Sequence, residues 1–396
     1  LFRSNYLFMK TVLFLIISFC LFSCISKGGM AGGKAICLDS IVIQKELRFS
    51  SLFEKPEIII LDDDTIVGNI DKLLAKDSLL LILDKELNAL HVFDRSGKFK
   101  YNIGSQGSGP GEYTLLCDFT LDKEGNVYAL DFTRQIVYCY SLSGQFFGSL
   151  SLNCDEGQSH YIHYNQGDLY TDIHSKSGED AMMRKVDLKS GQTERKYFSV
   201  NVNNEGWRQI QGHSPFCLPL EKELCFSPLY SKDILCLQGD REDIWLEFVT
   251  DAWMDKKTLD KIDVNKGETL RYLVESGKVH SLIFLAHVKN DYLFKYQKGY
   301  QTYYGLLSAS RDSCSIFNGC VDDWVYRTKG DDVHIIPNLI TYDEKGVYGC
   351  LDMYTMPLFL SLVRSGQVNE SLNRILELKN LMENSNPLIF YYPVKE

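Results

Sequence analysis

The sequence predicts an all-β chain folded as a six-bladed β-propeller of four-stranded antiparallel blades, and three observations carry that expectation. A glycine turn recurs: Gly97, Gly144, Gly191 and Gly239 fall 47, 47 and 48 residues apart. They close the related runs Phe93-Asp94-Arg95-Ser96-Gly97, Tyr140-Ser141-Leu142-Ser143-Gly144, Val186-Asp187-Leu188-Lys189-Ser190-Gly191 and Cys236-Leu237-Gln238-Gly239. A repeat of roughly 40–50 residues matches a propeller blade, whereas a β-helix repeats at a much shorter period. Between the turns, apolar residues alternate with polar ones, and the 3.6-residue spacing of a helical solenoid is missing from the repeated units. Finally, strand-like runs near both ends lack a partner close in sequence. A ring must pair its first and last blades or leave exposed sheet edges.

The N-terminal segment reads as a targeting signal. Leu1–Phe8 precede a start at Met9-Lys10, and Val12–Phe22 is an eleven-residue apolar run. A membrane span needs about 20 residues, so this length suits a signal-peptide core. The run ends in Leu21-Phe22-Ser23-Cys24, which resembles a bacterial lipobox, with Cys24 as the lipidated residue. Ile25–Lys34 is glycine-rich and reads as a flexible tether. The expected division is upstream residues plus lipoprotein signal peptide over 1–24, tether over 25–34, and propeller over 35–396.

Blade 1 is expected over Ile66–Leu74, Leu79–Leu83, Leu90–Phe93 and Phe99–Ile103. Blade 2 enters through the glycine loop Gly104–Gly111 and continues over Asp118–Asp122, Val127–Asp131, Ile136–Leu142 and Phe146–Leu152. Blade 3 follows with Tyr161–Tyr164, Leu169–Ile173, Met182–Leu188 and Glu194–Val200. Phe216–Leu220, Leu224–Leu229, Ile234–Leu237 and Ile244–Val249 make blade 4. Blade 5 spans Leu282–Phe317, and blade 6 takes Val333–Thr341, Val347–Leu351 and Pro387–Tyr392. Helical insertions are expected near 252–280, from Leu259, Ile262, Leu270, Leu273 and Val274, and near 357–384, from Leu372, Ile375, Leu376 and Met382. The N-terminal run Ile36–Phe49 is assigned as the missing outer strand of blade 6.

The loop Gly104-Ser105-Gln106-Gly107-Ser108-Gly109-Pro110-Gly111-Glu112-Tyr113, with Leu121-Asp122, Gly125-Asn126-Val127-Tyr128 and Asp131 after it, resembles an NHL-type repeat. Together with Asp39-Ser40-Ile41, Thr302-Tyr303-Tyr304-Gly305-Leu306 and the ending Asn386-Pro387-Leu388-Ile389-Phe390, the chain resembles the six-bladed β-propeller lipoproteins common in Bacteroidetes. That resemblance implies a fold and a cell-envelope location, facing the periplasm or the cell surface. It implies no activity and no catalytic residue.

Charge narrows the partners. With 42 Lys and Arg against 52 Asp and Glu, the net charge is −10. This argues against nucleic acid or an anionic membrane surface, and membrane contact is expected only through the lipid anchor. Gly104–Gly111 leads into a strand rather than a helix, so it lacks the geometry that cradles phosphate. Of twelve cysteines, Cys20 and Cys24 lie in the signal, leaving ten. They lack the spacing of a zinc site, and Cys314/Cys320 are the pair to consider for a disulfide. Trp207, Trp253 and Trp324 lie near loops and are read as edge caps.

His160, His163, His213, His287 and His334 fall in or beside the inner strands. Counting back eight residues from each blade's first turn brings Asp118, His160 and Asn338 to one depth as polar candidates for lining the channel, alongside apolar Pro215 and Ile283. A divalent metal there is the one cofactor this pattern allows. The opposing expectation is core or rim histidines satisfied by hydrogen bonds. The function expected is therefore an envelope-anchored, non-catalytic, monomeric propeller binding a protein, peptide or glycan through its loop face. A metal-dependent propeller lyase or hydrolase with its site at the channel is the alternative.

Overall fold

A computed structural model describes residues 33–174, 179–201, 213–217, 220, 223–228, 230–259, 261, 269–327 and 335–395. Residues 33–396 form one compact unit. The segment expected to be a signal, Cys24 as the expected lipidation residue, most of the expected tether, His334 and Trp207 lie outside the described residues.

Six antiparallel blades are arranged as a ring. Blade 1 is Lys72–Lys76, Leu79–Asp84, Ala89–Asp94 and Phe99–Asn102; blade 2 is Leu116–Leu121, Val127–Asp131, Ile136–Tyr140 and Phe146–Ser151. Blade 3 follows with Ile162–Asn165, Asp168–Asp172, Glu179–Val186 and Thr193–Asn201. In blade 4, Leu224–Phe226, Asp233–Gln238 and Arg241–Val249 pair in order. On their inner side Phe216 bridges Phe226, and the Cys217 amide donates to the Cys225 carbonyl at 3.0 Å. Blade 5 is Val279–Val288, Asp291–Lys298, Gln301–Ser308 and Cys314–Phe317; blade 6 contains Asn338–Tyr342, Gly346–Leu351 and Leu388–Pro393. The core is divided among the blade interfaces. Leu81, Phe119 and Tyr138 pack between blades 1 and 2, Phe216, Phe226 and Tyr197 between 3 and 4, and Trp245, Phe284 and Phe294 between 4 and 5.

The sequence repeat is a turn with a physical cause. Asp94 Oδ1 accepts the Ser96 and Lys98 amides at 2.9 and 3.1 Å, and Asp187 Oδ1 accepts those of Lys189 and Ser190 at 3.1 and 2.6 Å. Ser141 Oγ takes the Gln145 amide at 3.1 Å in the equivalent turn. An acceptor at the turn start and a left-handed residue at its end are what such side-chain-closed turns require. At Gly97 the φ is +91°, and an added Cβ would meet the Ile60 carbonyl oxygen at 2.0 Å.

Ile60 belongs to the strand that closes the ring. Glu57–Ile60 pairs antiparallel with Leu388–Pro393, from Leu388↔Ile60 to Tyr391↔Glu57. Closure by an N-terminal strand in the last blade agrees with the sequence reading, but the segment differs. Within Ile36–Phe49, Lys34–Cys37 runs parallel to Arg241–Val249 as an extra outer strand of blade 4, and Leu47–Arg48 pairs with Cys320–Val321. Glu-Ile-Ile-Ile carries the apolar residues the closing blade buries, with Ile58 and Ile59 2% and 6% exposed, whereas Val42 is 86% exposed. Asn386 locks the seam: its amide donates to the carbonyls of Asp62 and Thr65, and its Oδ1 accepts the Val67 amide, all at 2.7–2.8 Å.

Both helical insertions are present among the described residues, outside which Ile262 lies. Lys256–Leu259 and Thr269–Glu275 bury Leu259 and Leu273 against Met254. Met356–Arg364 carries Pro357 in its first turn and buries Met356, Phe359, Leu360 and Val363 against blade 6. Ile375–Asn380 is a separate helix, and Leu376 and Met382, expected on the buried face, are 72% and 65% exposed, because Leu372 and Leu378 make the contact instead. Cys314 and Cys320 carry free thiols, as do the other eight described cysteines. Cys314 pairs opposite Leu307, while Cys320 lies beyond Phe317, opposite Tyr304. Trp253 and Trp324 are fixed by indole hydrogen bonds to the carbonyls of Tyr230 and Phe53 at 2.8 and 3.0 Å.

Candidate site at the hub of the propeller

The inner strands surround a cavity of about 420 Å³ at the hub. Ile283 and Leu285 of blade 5 and Leu339 and Ile340 of blade 6 supply apolar wall, together with Phe216 of blade 4. Polar groups enter from every side: Asp71, Lys72 and Lys85 from blade 1, Asp118 from blade 2, His213 and Ser214 before blade 4, Lys295 and Gln297 from blade 5, and Asn338 from blade 6. Apolar walls with a few convergent polar groups are usual for ligand pockets of roughly 300–1,000 Å³.

Asp118 is 2% exposed and fully engaged. A register shift between Leu116 and Asp118 turns it toward the hub. Oδ1 accepts Lys72 Nζ at 2.7 Å and Oδ2 accepts the Ile162 amide at 2.8 Å, so one carboxylate ties blades 1, 2 and 3 together. Asn338 Oδ1 accepts Lys295 Nζ at 3.1 Å across the junction of blades 5 and 6. Burial draws the Lys295 ammonium pKa below its ordinary value. Lys85 extends over the Tyr161 ring, 5.6 Å from its centroid. Burial, reinforced by the charge of Lys295, lowers the His213 pKa to about 4. Among the described residues, Lys85 and Lys295 have no carboxylate partner in the ion pairs of the chain, while Lys72 is neutralised by Asp118.

Of the three candidates read from the sequence, Asp118 and Asn338 line this cavity and His160 does not. His160 precedes the inner strand Ile162–Asn165, where Gln158 and His174 bridge and turn the chain outward. Tyr161, its neighbour, faces the cavity in its place. His160 joins Asp172 and His174 instead: one ligand atom from each lies within 4.8 Å of the other two. Of the remaining histidines, His163 stacks on Phe216 with centroids 5.3 Å apart, and His287 lies against Tyr292 at 5.0 Å. Lys72, Lys85 and Lys295 escaped the sequence reading. The signal for Lys295 was present, as the one charged residue inside the run Tyr292–Tyr296.

The glycine loop is structural. Arg134 donates to the carbonyls of Gly107 and Glu112 at 3.1 and 3.0 Å, Tyr140 donates to the Gly111 carbonyl at 2.7 Å, and Glu112 Oε2 accepts the Gly109 amide at 2.7 Å. These bonds fold the loop onto its own blade.

Fold and hub together define a six-bladed propeller closed through its last blade, with a mixed polar and apolar pocket on its axis. The chain belongs to the family described as "Domain of unknown function (DUF4934)", which matches residues 36–393. No curated protein matches it. Among solved structures it is similar to a Bacteroides fragilis protein provisionally designated as exported, at 18% identity and TM-score 0.67, covering 90% of this chain and 100% of that one. A DUF4221 family member from Bacteroides vulgatus is 10% identical with TM-score 0.50, covering 87% and 98%. Virginiamycin B lyase from Staphylococcus aureus follows at 13% identity and TM-score 0.41, covering 67% and 74%, a level that carries no chemistry across. Among the described residues, no helix is long and apolar enough to cross a membrane.

Proposed function

We propose that this protein is an exported, envelope-anchored binding module that takes a ligand at its hub through the loop face, without catalysis. The observation that carries this reading is the 420 Å³ cavity, with apolar walls and the ammonium groups of Lys85 and Lys295 unmatched by carboxylates. Such a lining suits a ligand with an apolar body and a carboxylate or similar anionic end, such as a peptide C-terminus or an acidic glycan. Export is supported by the signal-like segment ending at Cys24 and by the designation of the Bacteroides fragilis neighbour. Anchoring through Cys24 belongs to the same proposal.

A lyase or hydrolase working in the cavity needs a free general base there. Asp118 serves poorly, because its two oxygens are engaged by Lys72 and the Ile162 amide, so a catalytic reading would rest on His213, and turnover abolished by His213→Ala would favour it. The test is a thermal-shift screen of acidic peptides and glycans against the purified protein, repeated on Ser281→Trp, which fills the cavity. Hits that vanish in this variant and weaken in Lys295→Met support the reading. Hits that survive both changes, or turnover of any hit, overturn it.

A further inference from the structure

We infer that His160, Asp172 and His174 form a binding site for one divalent transition-metal ion of the zinc type, beside the hub cavity. Asp172 and His174 lie two apart where the strand Asp168–Asp172 ends, so they share a face, and His160 arrives from the facing segment. His174 Nε2 is 2.8 Å from Asp172 Oδ2, and His160 Nδ1 is 3.9 Å from the same oxygen. The imidazoles meet edge to face with centroids 4.4 Å apart.

Two features mark this as a built site. Asp172 is 1% exposed, and its Oδ1 accepts the amides of His160 and Tyr161 at 2.8 Å each, which leaves Oδ2 facing the imidazoles. Such bonds to the outer oxygen of a carboxylate orient it for a metal. His160 Nδ1 is buried and has no hydrogen-bond partner. A metal ion held between the three side chains engages that nitrogen, which no other described group does. Phe132 backs the His160 ring at 4.9 Å, which limits its swing.

The donor set selects the ion. Two imidazoles and one carboxylate suit zinc and its first-row neighbours, whereas calcium and magnesium favour oxygen ligands throughout. Three protein ligands leave a fourth tetrahedral position for water. Tyr161, adjacent to His160 and bonded to the same carboxylate, lines the cavity. The ion therefore sits one residue from the pocket, and it stands whether or not that pocket takes a ligand.

The test uses tag-free full chain stripped of metal, titrated calorimetrically with zinc alone and, separately, with cobalt followed by visible absorption. The expected result is one ion per chain with intense tetrahedral cobalt bands. His160→Ala and His174→Ala should each weaken zinc by more than the ~10–100-fold that outer-sphere changes cost, with unchanged circular dichroism. His160→Gln is the second variant, since the exposed side of the site tolerates it. Failure of the wild type to bind one zinc, or wild-type zinc affinity in both His160→Ala and His160→Gln, overturns the assignment.

Discussion

Replacing Asp118 with alanine should destabilise the protein far more than it changes any chemistry. Its side chain is 3% exposed and that of Lys72 is 14%, so the pair is largely shielded from solvent. Breaking a buried pair by deleting one partner costs about 3–5 kcal/mol. The Ile162 amide also loses its acceptor, a penalty of about 1–3 kcal/mol that overlaps the first. A loss of about 4 kcal/mol is expected for Asp118→Ala, and roughly half of that for Asp118→Asn, which still accepts from Ile162. Lys72→Met in the Asp118→Leu background should recover much of the loss, because two apolar side chains replace a matched pair. Urea unfolding at neutral pH, followed by fluorescence and circular dichroism, measures all four proteins. An Asp118→Ala protein within about 1 kcal/mol of the wild type, or no recovery in the double variant, would refute the role of this carboxylate as a strut between blades.

Three further outcomes follow from the same structure. Burial pushes the Asp322 carboxyl up to about 6, against hydrogen bonds from the Tyr392 hydroxyl and the Val325 and Trp324 amides. A raised folded pKa stabilises most below about pH 4, and that contribution, about 3 kcal/mol, is lost as pH rises through about 6; Asp322→Asn should remove this dependence from the difference between unfolding free energies at pH 4 and pH 7. Gly97→Ala combines φ +91° with a 2.0 Å approach to the closing strand and should cost more than about 2 kcal/mol, while Gly167→Ala, at φ +101° with nothing within 4 Å, should cost only about 1 in the same unfolding assay. Among the described cysteines, Cys37 and Cys154 are exposed and should react first with a thiol reagent in the native protein, Cys139, Cys225, Cys236 and Cys350 only on unfolding, as peptide mapping of the labelled sites would report.

The fold was legible because its repeat is local chemistry. An acceptor, a short run and a glycine close the outer turns of blades 1, 2 and 3. The closing strand was harder to read. Ile36–Phe49 contains alternating runs and Glu57–Ile60 is a short apolar run, and what separates them is how much of each blade 6 buries, a tertiary property. Counting back from each blade's first turn brought Asp118 and Asn338 to the hub, since that distance is set by strand length. It failed for His160, where the Gln158–His174 bridge redirects the chain before the inner strand begins. The Asp172-x-His174 spacing was visible in the sequence, but its partner is twelve residues from Asp172 and only the turn between strands brings them together. Lys85 and Lys295 come from a loop and from a second strand, positions that an alignment of inner strands never visits.

The most direct test of the central claim, that the hub cavity is the binding site, is a crystal structure with the tightest ligand from the screen. The expected result places its anionic end within hydrogen-bonding distance of Lys85 or Lys295 and its apolar body against Ile283, Leu339 and Phe216. A ligand seated on the outer blade edges, with the hub unchanged, would contradict the account.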